Sequence, residues 1–423
     1  MIYYSKIIEG EGFSIDELRS GLFAALVKVG VRRKVLIVPP DYTRYHSYAG
    51  ILTSQAYEYF NDGVTGILPA LGTHRAMTYT ELEKMFHGIP GNLFRVHDWR
   101  KDVVTVGTIS AEEVASITEN TVHFSWPAQL NKLIVQGGHD LVLSIGQVVP
   151  HEVIGMANYN KNLFIGTGGS EGINKSHFIG AVYGMERLMG HADNPVRKLL
   201  NYASKHFIGG IPVVYVHTVT GKNKAGKIVV KGLFIGDDDE VFLQAAELSL
   251  KINFTMLDEP LKKIVVYLDA SEFQSTWLGN KSIYRTRMAL ANDAEIIVLG
   301  PGIKKFGEDN QIDGLIRKYG YAGTSQTLKS TEENSDLQNN LSAAAHLIHG
   351  SSEGRFRITY CPGKLTRKEI ESVGYNYASL DDMLIKYNPA KLVDGFNIVD
   401  REEIYYIANP ALGLWAFKER FVC

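Results

Sequence analysis

Apolar and polar positions change along the chain in a regular order that predicts strands and helices in turn. Residues 34–38 and 64–70 are apolar runs typical of buried strands, and each is followed by a polar loop. Residues 16–29, 54–60 and 79–86 instead carry apolar side chains at helical spacing. Strands that alternate with helices in this way predict βαβ units and a parallel sheet.

The same alternation continues through the rest of the chain. It predicts further strands at residues 141–149, 213–219, 227–235, 264–268 and 295–299, and further helices at residues 195–207, 237–252, 275–291 and 336–347. A polar stretch at residues 320–336 is typical of a surface loop, and residues 357–360 fit an edge strand. Pro260 and a group of charges interrupt the alternation at residues 251–262 and favour a domain boundary there.

These elements predict an α/β fold with two α/β domains and parallel-rich sheets. We expect an N-terminal domain at residues 1–255 and a C-terminal α/β domain at residues 262–395. Residues 396–423 form a C-terminal segment that is apolar enough to pack back on the first domain.

Composition narrows the class of protein. The chain has 423 residues, a formal net charge of −2 and 45% hydrophobic residues, which is typical of a globular protein. This charge gives no reason to expect a nucleic acid or a membrane as partner, and no apolar run approaches the ~18–20 residues of a membrane helix. Cys361 and Cys423 cannot form a disulfide framework or a multi-cysteine metal site. The first residues carry charges throughout and predict no signal peptide, so we expect a reduced, cytoplasmic protein.

Ionisable side chains follow three of the predicted strands. Asp41 and Arg44 follow the first strand, His74 follows the second, and His151 follows the strand at residues 141–149. Because the carboxyl ends of parallel strands line one crevice, we expect these side chains to meet there. Structural explanations stay open, since Asp41 and Arg44 can form a surface ion pair worth ~0–1 kcal/mol and a lone histidine is more often structural. Functionally, Arg44 suits a bidentate carboxylate, and a histidine suits a base or a metal ligand.

A glycine-rich segment lies a little further on. Residues 166–169, Gly-Thr-Gly-Gly, lack the GxGxxG spacing of a dinucleotide site, which leaves either a plain loop or a loop whose backbone amides contact a phosphate. His97 and His139 do not follow a clear strand, so we assign them structural or supporting roles. The chain contains no His-x-His, HExxH or CxxC pattern, which gives a closed zinc site little support.

Four motifs in chain order resemble the lactate racemase family. The family's Asp-x-Thr-Arg loop corresponds to residues 41–44, and its Gly-x-His-Arg loop corresponds to residues 72–75. Its Pro-His segment, with a glycine four residues after the histidine, corresponds to residues 150–155. Lys161 follows ten residues after that histidine, and His177 comes later.

The fourth motif lies in the second predicted domain, where Lys281 comes four residues after Trp277. The resemblance covers most of the chain, and the ordered spacing of His151, Lys161 and His177 is its most specific part.

This resemblance implies a nickel-pincer nucleotide cofactor and a 2-hydroxyacid substrate. In the family, a lysine forms a thioamide bond to a pyridinium nucleotide with two sulfur arms, and nickel is held by a ring carbon, both sulfurs and a histidine. By correspondence, Lys161 is the tether, His177 is the nickel ligand, and His74 and His151 are the catalytic acid/bases. One histidine deprotonates the C2 hydroxyl while the C2 hydride moves to the cofactor, and its return to either face gives both configurations. The site would lie in the interdomain cleft, with the first domain as the catalytic and cofactor-binding one.

The same correspondence assigns the other site residues. The residues expected to bind the cofactor beside the tether are Asp41, Thr43, Arg44, Gly168 and Gly169. The residues expected to bind the substrate are Tyr45, Arg75, Tyr159, Trp277 and Lys281.

Two departures from the family bear on the substrate. Residues 158–160 are Asn-Tyr-Asn where many members carry Gly-Gly-Arg, and Tyr45 and His46 follow the first loop where the family often has proline. Because these residues add hydrogen-bonding groups, we expect a polyhydroxylated sugar acid, such as gluconate, epimerised at C2.

Other functions stay open at this point. If the side chains of residues 158–160 point to solvent, the substrate is a short 2-hydroxyacid such as lactate. Two other classes are a divalent-metal hydrolase or lyase that uses the same histidines, and a non-catalytic carboxylate-binding protein. The leading hypothesis also needs the machinery that makes the cofactor.

Overall fold

The computed structural model describes residues 1–411 and 413–421, which form two compact units. The first unit comprises residues 1–176 and 190–253, and the second unit comprises residues 177–189 and 254–423. The chain passes to the second unit after Asn253, inside the region where the boundary is predicted. Nothing in the sequence pattern indicates that residues 177–189 belong to the second unit.

Strands and helices alternate up to residue 253. The strands are β1 (Ile2–Ile7), β2 (Val35–Val38), β3 (Val64–Ile67), β4 (Val103–Ile109), β5 (Trp126–Asn131), β6 (Leu141–Gln147), β7 (Pro150–His151), β8 (Gly155–Met156), β9 (Val213–Lys222) and β10 (Ile228–Gly236). The helices are α1 (Ile15–Val29), α2 (Ala49–Phe60), α3 (Tyr79–Met85), α4 (Ala111–Ile117), α5 (Lys132–Gln136), α6 (Asn160–Phe164), α7 (Ser170–Tyr183), α8 (Met185–Leu188), α9 (Pro195–Phe207) and α10 (Glu240–Asn253). Helix α7 begins in the first unit and ends in the second, which also contains α8.

The main sheet of the first unit has the strand order β1-β10-β9-β6-β2-β3. Its parallel part runs from β9 through β6 and β2 to β3, and β10 and β1 extend it antiparallel. The chain moves outward in one direction from β2 to β3 and in the other from β6 to β9. The strand order therefore reverses between β2 and β6, and in α/β sheets the ends of such strands form the usual ligand site.

Helix α1 shows how local sequence sets these elements. Ser14 and Glu17 form a reciprocal capping box at its start, which satisfies two backbone N–H groups that the helix leaves open. Gly30 ends the helix with a φ of 83°, which favours glycine. Between these ends, Leu18 and Leu22 lie on the buried face, within a core that includes strands β2, β3 and β6.

The second unit is also α/β. Its strands are β11 (Phe254–Leu257), β12 (Leu261–Tyr267), β13 (Leu290–Gly300), β14 (Arg357–Pro362), β15 (Asn376–Tyr377), β16 (Gly395–Val399), β17 (Glu402–Ile407) and β18 (Leu414–Phe417). Its later helices are α11 (Thr276–Gly279), α12 (Lys281–Tyr284), α13 (Asn310–Tyr319), α14 (Thr324–Glu333), α15 (Ser335–Gln338), α16 (Leu341–His349), α17 (Arg367–Ser372) and α18 (Leu380–Lys386). The sheet order is β15-β14-β13-β12-β17-β16, parallel except for the β17–β16 pair. The predicted α/β class with parallel-rich sheets is confirmed.

The structure corrects three predictions for the second unit. Residues 275–291 form two short helices rather than one, and residues 320–336 contain α14 rather than a loop. Strand β14 is not at an edge, because β13 and β15 flank it.

The C-terminal segment was expected to pack on the first domain. Its strands instead belong to the second unit, where β17 pairs with β12 and β18 pairs with β11. Leu412, Val422 and Cys423 lie outside the described residues. Within the described residues, a helix of the length and apolarity needed to cross a membrane is not found.

Candidate active site

Hydrogen bonds in the first unit tie together the loops that leave β2, β3 and β6. Gly72, after β3, donates its backbone N–H to the carbonyl of Gly166 at 2.8 Å. The side-chain amide of Asn162 donates to the carbonyl of Val38 at 3.0 Å and to the hydroxyl of Ser144 at 3.1 Å. Asn162 lies on α6 next to Lys161, so the helix that carries the lysine is fixed to the end of β2 and to the middle of β6.

His74 and Asp41 form a hydrogen-bonded pair at this edge of the sheet. The Nδ1 atom of His74 lies 2.7 Å from Oδ2 of Asp41. The other carboxylate oxygen of Asp41 accepts from the backbone N–H of Thr43 at 3.2 Å and from its hydroxyl at 2.5 Å. Asp41 is buried, whereas the side chain of His74 is 53% exposed. The pair therefore has a fixed, buried acid and a histidine that solvent and small molecules can reach.

Asp41 remains ionised in this setting. Burial opposes its charge, but the hydrogen bonds from His74 and Thr43 and the charges of His74 and Arg44 outweigh burial, so the pKa of the carboxyl lies below its ordinary value. Because a carboxylate only accepts hydrogen bonds, Nδ1 of His74 carries a proton. In the neutral imidazole, Nε2 of His74 is then the basic nitrogen.

His151 is held in the opposite tautomer. It is buried on β7, and the backbone N–H of Val153 donates to its Nδ1 at 3.1 Å. The nearest carboxylate oxygen of Glu152 is 3.8 Å from the same nitrogen. Since Nδ1 accepts a hydrogen bond from Val153, the neutral ring carries its proton on Nε2. The two histidines thus differ: His74 has a basic Nε2, and His151 has a protonated one.

Lys161 has an amine that is readily deprotonated. The residue retains partial solvent exposure, yet the surrounding protein desolvates the amine strongly. This desolvation, with the charge of Arg44 in support, outweighs the opposing charges of Glu152 and Asp41 and lowers the pKa of Lys161 to about 8. Near neutral pH a useful fraction of the amine is therefore neutral and nucleophilic.

The glycines after α6 are used for close packing. A side chain on Gly168 would meet the carbonyl oxygen of Phe164 at 1.8 Å, and one on Gly169 would meet the side chain of Gln129 at 2.4 Å. Both glycines are buried, and the carbonyl of Gly168 accepts a hydrogen bond from Nε2 of His97 at 3.0 Å. Protein atoms thus fill the space where side chains would stand at these glycines, and their role in binding the cofactor stays a prediction.

Residues 158–160 also point into the protein. Asn158 donates to Nδ1 of His217 at 2.9 Å, and Asn160 donates to Asn201 at 2.7 Å. The ring of Tyr159 is 7% exposed and stacks on Phe242 at 5.2 Å between centroids. Because other side chains enclose its ring, the structure gives no support to the prediction that Tyr159 binds substrate.

Arg75 has a partner of its own. Its guanidinium donates two hydrogen bonds to the carboxylate of Glu81, at 2.9 and 2.6 Å. The guanidinium of Arg75, which was expected to bind the substrate, therefore forms an ion pair with Glu81. Arg44 and Tyr45 lie on the turn at Tyr42–Ser47, where Arg44 is half-buried and Tyr45 is 39% exposed.

The second unit contains the other predicted site residues. His177 lies on α7 and is half-buried. Trp277 on α11 packs against the ring of His346 at 4.4 Å, and Nε2 of His346 lies 3.0 Å from the hydroxyl of Tyr321. Lys281 begins α12 and is half-buried. Trp277 thus packs against a histidine that belongs to a buried polar network.

Metal-ligating side chains do not gather into a cluster of the usual kind. Across residues 1–411 and 413–421, no group of three or more His, Cys, Asp or Glu residues is placed to hold a metal ion.

Comparison with known proteins bears on this arrangement. Residues 21–187, which include β2, β3, β6 and Lys161, match the model of the lactate racemase N-terminal domain. The chain therefore contains a lactate racemase N-terminal domain. The resemblance of the motifs to the lactate racemase family is confirmed over these residues.

Two solved structures are similar to this chain over nearly its whole length. A crystal structure of a protein from Thermotoga maritima is 25% identical, with a TM-score of 0.81, 97% of this chain covered and 100% of that one. The lactate racemase apoprotein from Thermoanaerobacterium thermosaccharolyticum is 16% identical, with a TM-score of 0.68, 96% of this chain covered and 90% of that one. At that identity the second likeness shows a shared fold. No curated protein matches the sequence.

The sequence analysis gave no role to three residues that shape this site. Glu81 binds Arg75, Glu152 adds charge beside His151, and Arg197 holds the segment before Lys161. Only Arg197 had a visible pattern: it stands between Val196 and Leu199 in an amphipathic helix, on the side that is buried.

Proposed function

We propose that the protein is a 2-hydroxyacid racemase or epimerase that uses a nickel-pincer nucleotide attached to Lys161. The observation that carries this proposal is the Lys161 amine, with a pKa lowered to about 8, at the same sheet edge as the Asp41–His74 pair. A tether needs a neutral amine and an acid/base needs an accessible nitrogen, and both are present there.

The residues of the first unit fit the cofactor. Lys161 supplies the amine that would form the thioamide bond, and its partial exposure leaves a route to it. The positive charges of Arg44 and Arg197 act on Lys161 and would also favour the anionic parts of a nucleotide. In this proposal His177 holds the nickel. Once bound, the group supplies the electron sink for a hydride at C2, which side chains alone lack.

His74 is proposed as the base. Its Nε2 accepts the proton of the substrate's C2 hydroxyl, and the Asp41 carboxylate at Nδ1 stabilises the imidazolium that forms. The half-exposed side chain allows the substrate to reach Nε2 while Asp41 keeps the ring oriented.

His151 is proposed as the matching donor. Its Nε2–H donates a hydrogen bond to the oxygen at C2, while the backbone N–H of Val153 holds the ring from the other side. For the reverse direction, the imidazolium of His74, paired with Asp41, returns its proton to the oxygen at C2. The two histidines together then serve both configurations.

The substrate remains the least constrained part of the proposal. We keep a polyhydroxylated 2-hydroxyacid as first choice because Tyr45 and His46 are exposed after β2, close in sequence to Arg44. Arg44 would offset the substrate carboxylate. The burial of residues 158–160 removes their support for a large polar substrate and favours a short acid such as lactate as the second candidate.

The proposal is tested with protein produced together with the cofactor-making enzymes. Both isomers of lactate and malate, and gluconate, are supplied, and the configuration and the hydrogen at C2 are followed. We expect conversion of at least one acid at C2, and we expect His74→Asn and His151→Asn to lower turnover roughly 10²–10⁴-fold. Near-full activity in both variants would contradict the roles given to the two histidines. Faster conversion of lactate than of gluconate would decide for the short-acid candidate.

A further inference from the structure

Arg197 is a buried cation whose guanidinium donates its hydrogen bonds to one short segment, residues 156–160. It lies on α9 with 2% of its surface exposed. Its guanidinium donates to the carbonyl oxygens of Met156, at 2.6 Å, and Asn158, at 3.3 Å, and to the side-chain oxygen of Asn160. These acceptors lie directly before Lys161, and they are amide oxygens rather than carboxylates.

The segment that Arg197 holds has an unusual backbone. Asn158 has a φ of 67°, and Tyr159 has a φ of 59° with a ψ of −139°. Asparagine tolerates the left-handed region, but few residues other than glycine adopt the conformation of Tyr159. Such a turn persists only where neighbouring groups fix it. The carbonyl of Asn158, bonded by Arg197, belongs to the peptide that joins these two residues.

Aromatic packing adds to the same support. The guanidinium carbon of Arg197 lies 4.3 Å from the ring centroid of Phe242 and 5.8 Å from that of Tyr159. Phe242 and Tyr159 are stacked with an angle of 16° between their planes. Arg197 therefore contacts both the backbone of the strained turn and the side chain of Tyr159 within it.

We propose that Arg197 is a positioning residue for Lys161: its guanidinium fixes the turn at residues 156–160 that starts α6, and its charge acts on the lysine amine. The purpose of that positioning rests on the proposed function, whereas the positioning itself is a property of the cofactor-free protein. A buried charge is costly unless hydrogen bonds compensate it. The two terminal nitrogens of Arg197 bond three amide oxygens, which a lysine cannot do, whereas Nε has no hydrogen-bond partner among the described residues.

Four charged groups act on Lys161. Arg44 and Arg197 oppose the protonated amine, and Glu152 and Asp41 favour it. Removal of the Arg197 charge should therefore make the amine harder to deprotonate, while loss of the fork should loosen the start of α6. These two effects are separable by substitution.

The experiment measures acetylation of Lys161 in cofactor-free protein across pH, by peptide mass spectrometry, together with amide hydrogen exchange of the peptide that covers α6. In the wild type, half-maximal acetylation is expected near pH 8. Arg197→Met should move the midpoint to higher pH and speed exchange in α6 by about tenfold or more. Arg197→Lys should keep the midpoint closer to the wild type but still speed exchange, because one ammonium cannot replace the fork.

Lys198→Met is the matched control. Lys198 is the next residue on α9, its side chain is 52% exposed, and it pairs with Asp193 at 3.5 Å. Its removal takes away a charge on the same helix, and it should leave both the midpoint and the exchange unchanged.

Wild-type midpoint and wild-type exchange in folded Arg197→Met would overturn the proposal. If Arg197→Met fails to fold, the hydrogen exchange of α6 in Arg197→Lys is measured in its place. If that variant also fails to fold, the same exchange is measured in Asn160→Ala, which keeps the arginine and removes one acceptor. Unchanged exchange in the deciding variant overturns the proposal. Absence of a cofactor adduct would contradict the proposed function without altering these results.

Discussion

The Nδ1 atom of His74 lies 2.7 Å from Oδ2 of Asp41, although the two residues are 33 positions apart in the chain. They meet because β2 and β3 are parallel neighbours whose carboxyl ends lie at one edge of the sheet. The bond fixes which nitrogen of His74 is basic, and it links the fold directly to the proposed chemistry.

Asp41→Asn should remove this control while leaving the shape of the loop. An asparagine can offer its amide N–H to Nδ1 and so favour the wrong tautomer of His74. We expect turnover to fall roughly 10²–10⁴-fold with the cofactor still attached to Lys161. Asp193→Asn is the control, since that carboxylate is 78% exposed on the surface. Activity of Asp41→Asn equal to that of the control would show that Asp41 does not orient the base.

Tyr159→Phe tests the predicted role of Tyr159 in binding the substrate. The ring is enclosed, and its burial raises the pKa of the hydroxyl to about 12, so removal of the hydroxyl should change stability by less than about 1.5 kcal/mol and leave KM unchanged. Tyr159→Ala should cost about 3–5 kcal/mol in the free energy of unfolding because it empties the aromatic cluster. A large rise in KM for the phenylalanine variant would show that the Tyr159 hydroxyl contributes to substrate binding.

Gly168→Ala tests whether the glycine loop is needed for packing. The new methyl group would meet the carbonyl oxygen of Phe164 at 1.8 Å, so the backbone must shift, at a cost of typically about 1–3 kcal/mol in the free energy of unfolding. Gly210→Ala is the control, because nothing lies within 4 Å of its added methyl. Urea denaturation of the cofactor-free proteins measures the difference. Equal stability of the two variants would contradict the packing role.

Features of the fold were predictable from the sequence where they depend on residues close together in the chain. The amphipathic pattern at residues 195–207 predicted α9 with the observed ends, since Pro195 and the apolar spacing are local features. Residues 320–336 looked like a loop because α14 is polar; there Thr327 and Thr331 are buried with hydroxyls bonded to carbonyls one turn earlier.

The same contrast holds at the site. Parallel strand ends were enough to predict that Asp41 and His74 approach each other. The burial of Tyr159 was not predictable, because Tyr215, His217 and Phe242, which surround its ring, come from β9 and α10, far along the chain. Likewise, the fork of Arg75 gave no hint that Glu81 would occupy it.

Stability should depend on pH through Lys161. Its pKa is about 8 in the folded protein against an ordinary value of 10.5, so between these values the unfolded chain binds more protons than the folded one. Lys161 therefore makes the free energy of unfolding increase as pH rises from about 8 to 10.5. This increase is absent below about pH 8. Lys161→Met should be more stable than the wild type at pH 7, with a difference that shrinks by pH 10. Lys198→Met should show no such trend, and a constant difference for Lys161→Met would contradict the lowered pKa.

The most direct test of the central claim is the intact mass of protein produced together with the cofactor-making enzymes, compared between the wild type and Lys161→Ala. The account predicts a covalent mass increase in the wild type, located by peptide mapping to Lys161, with nickel in the same sample. It predicts that Lys161→Ala, while folded, lacks that increase. The same increase in Lys161→Ala, or its location on another residue, would contradict the assignment of Lys161 as the tether.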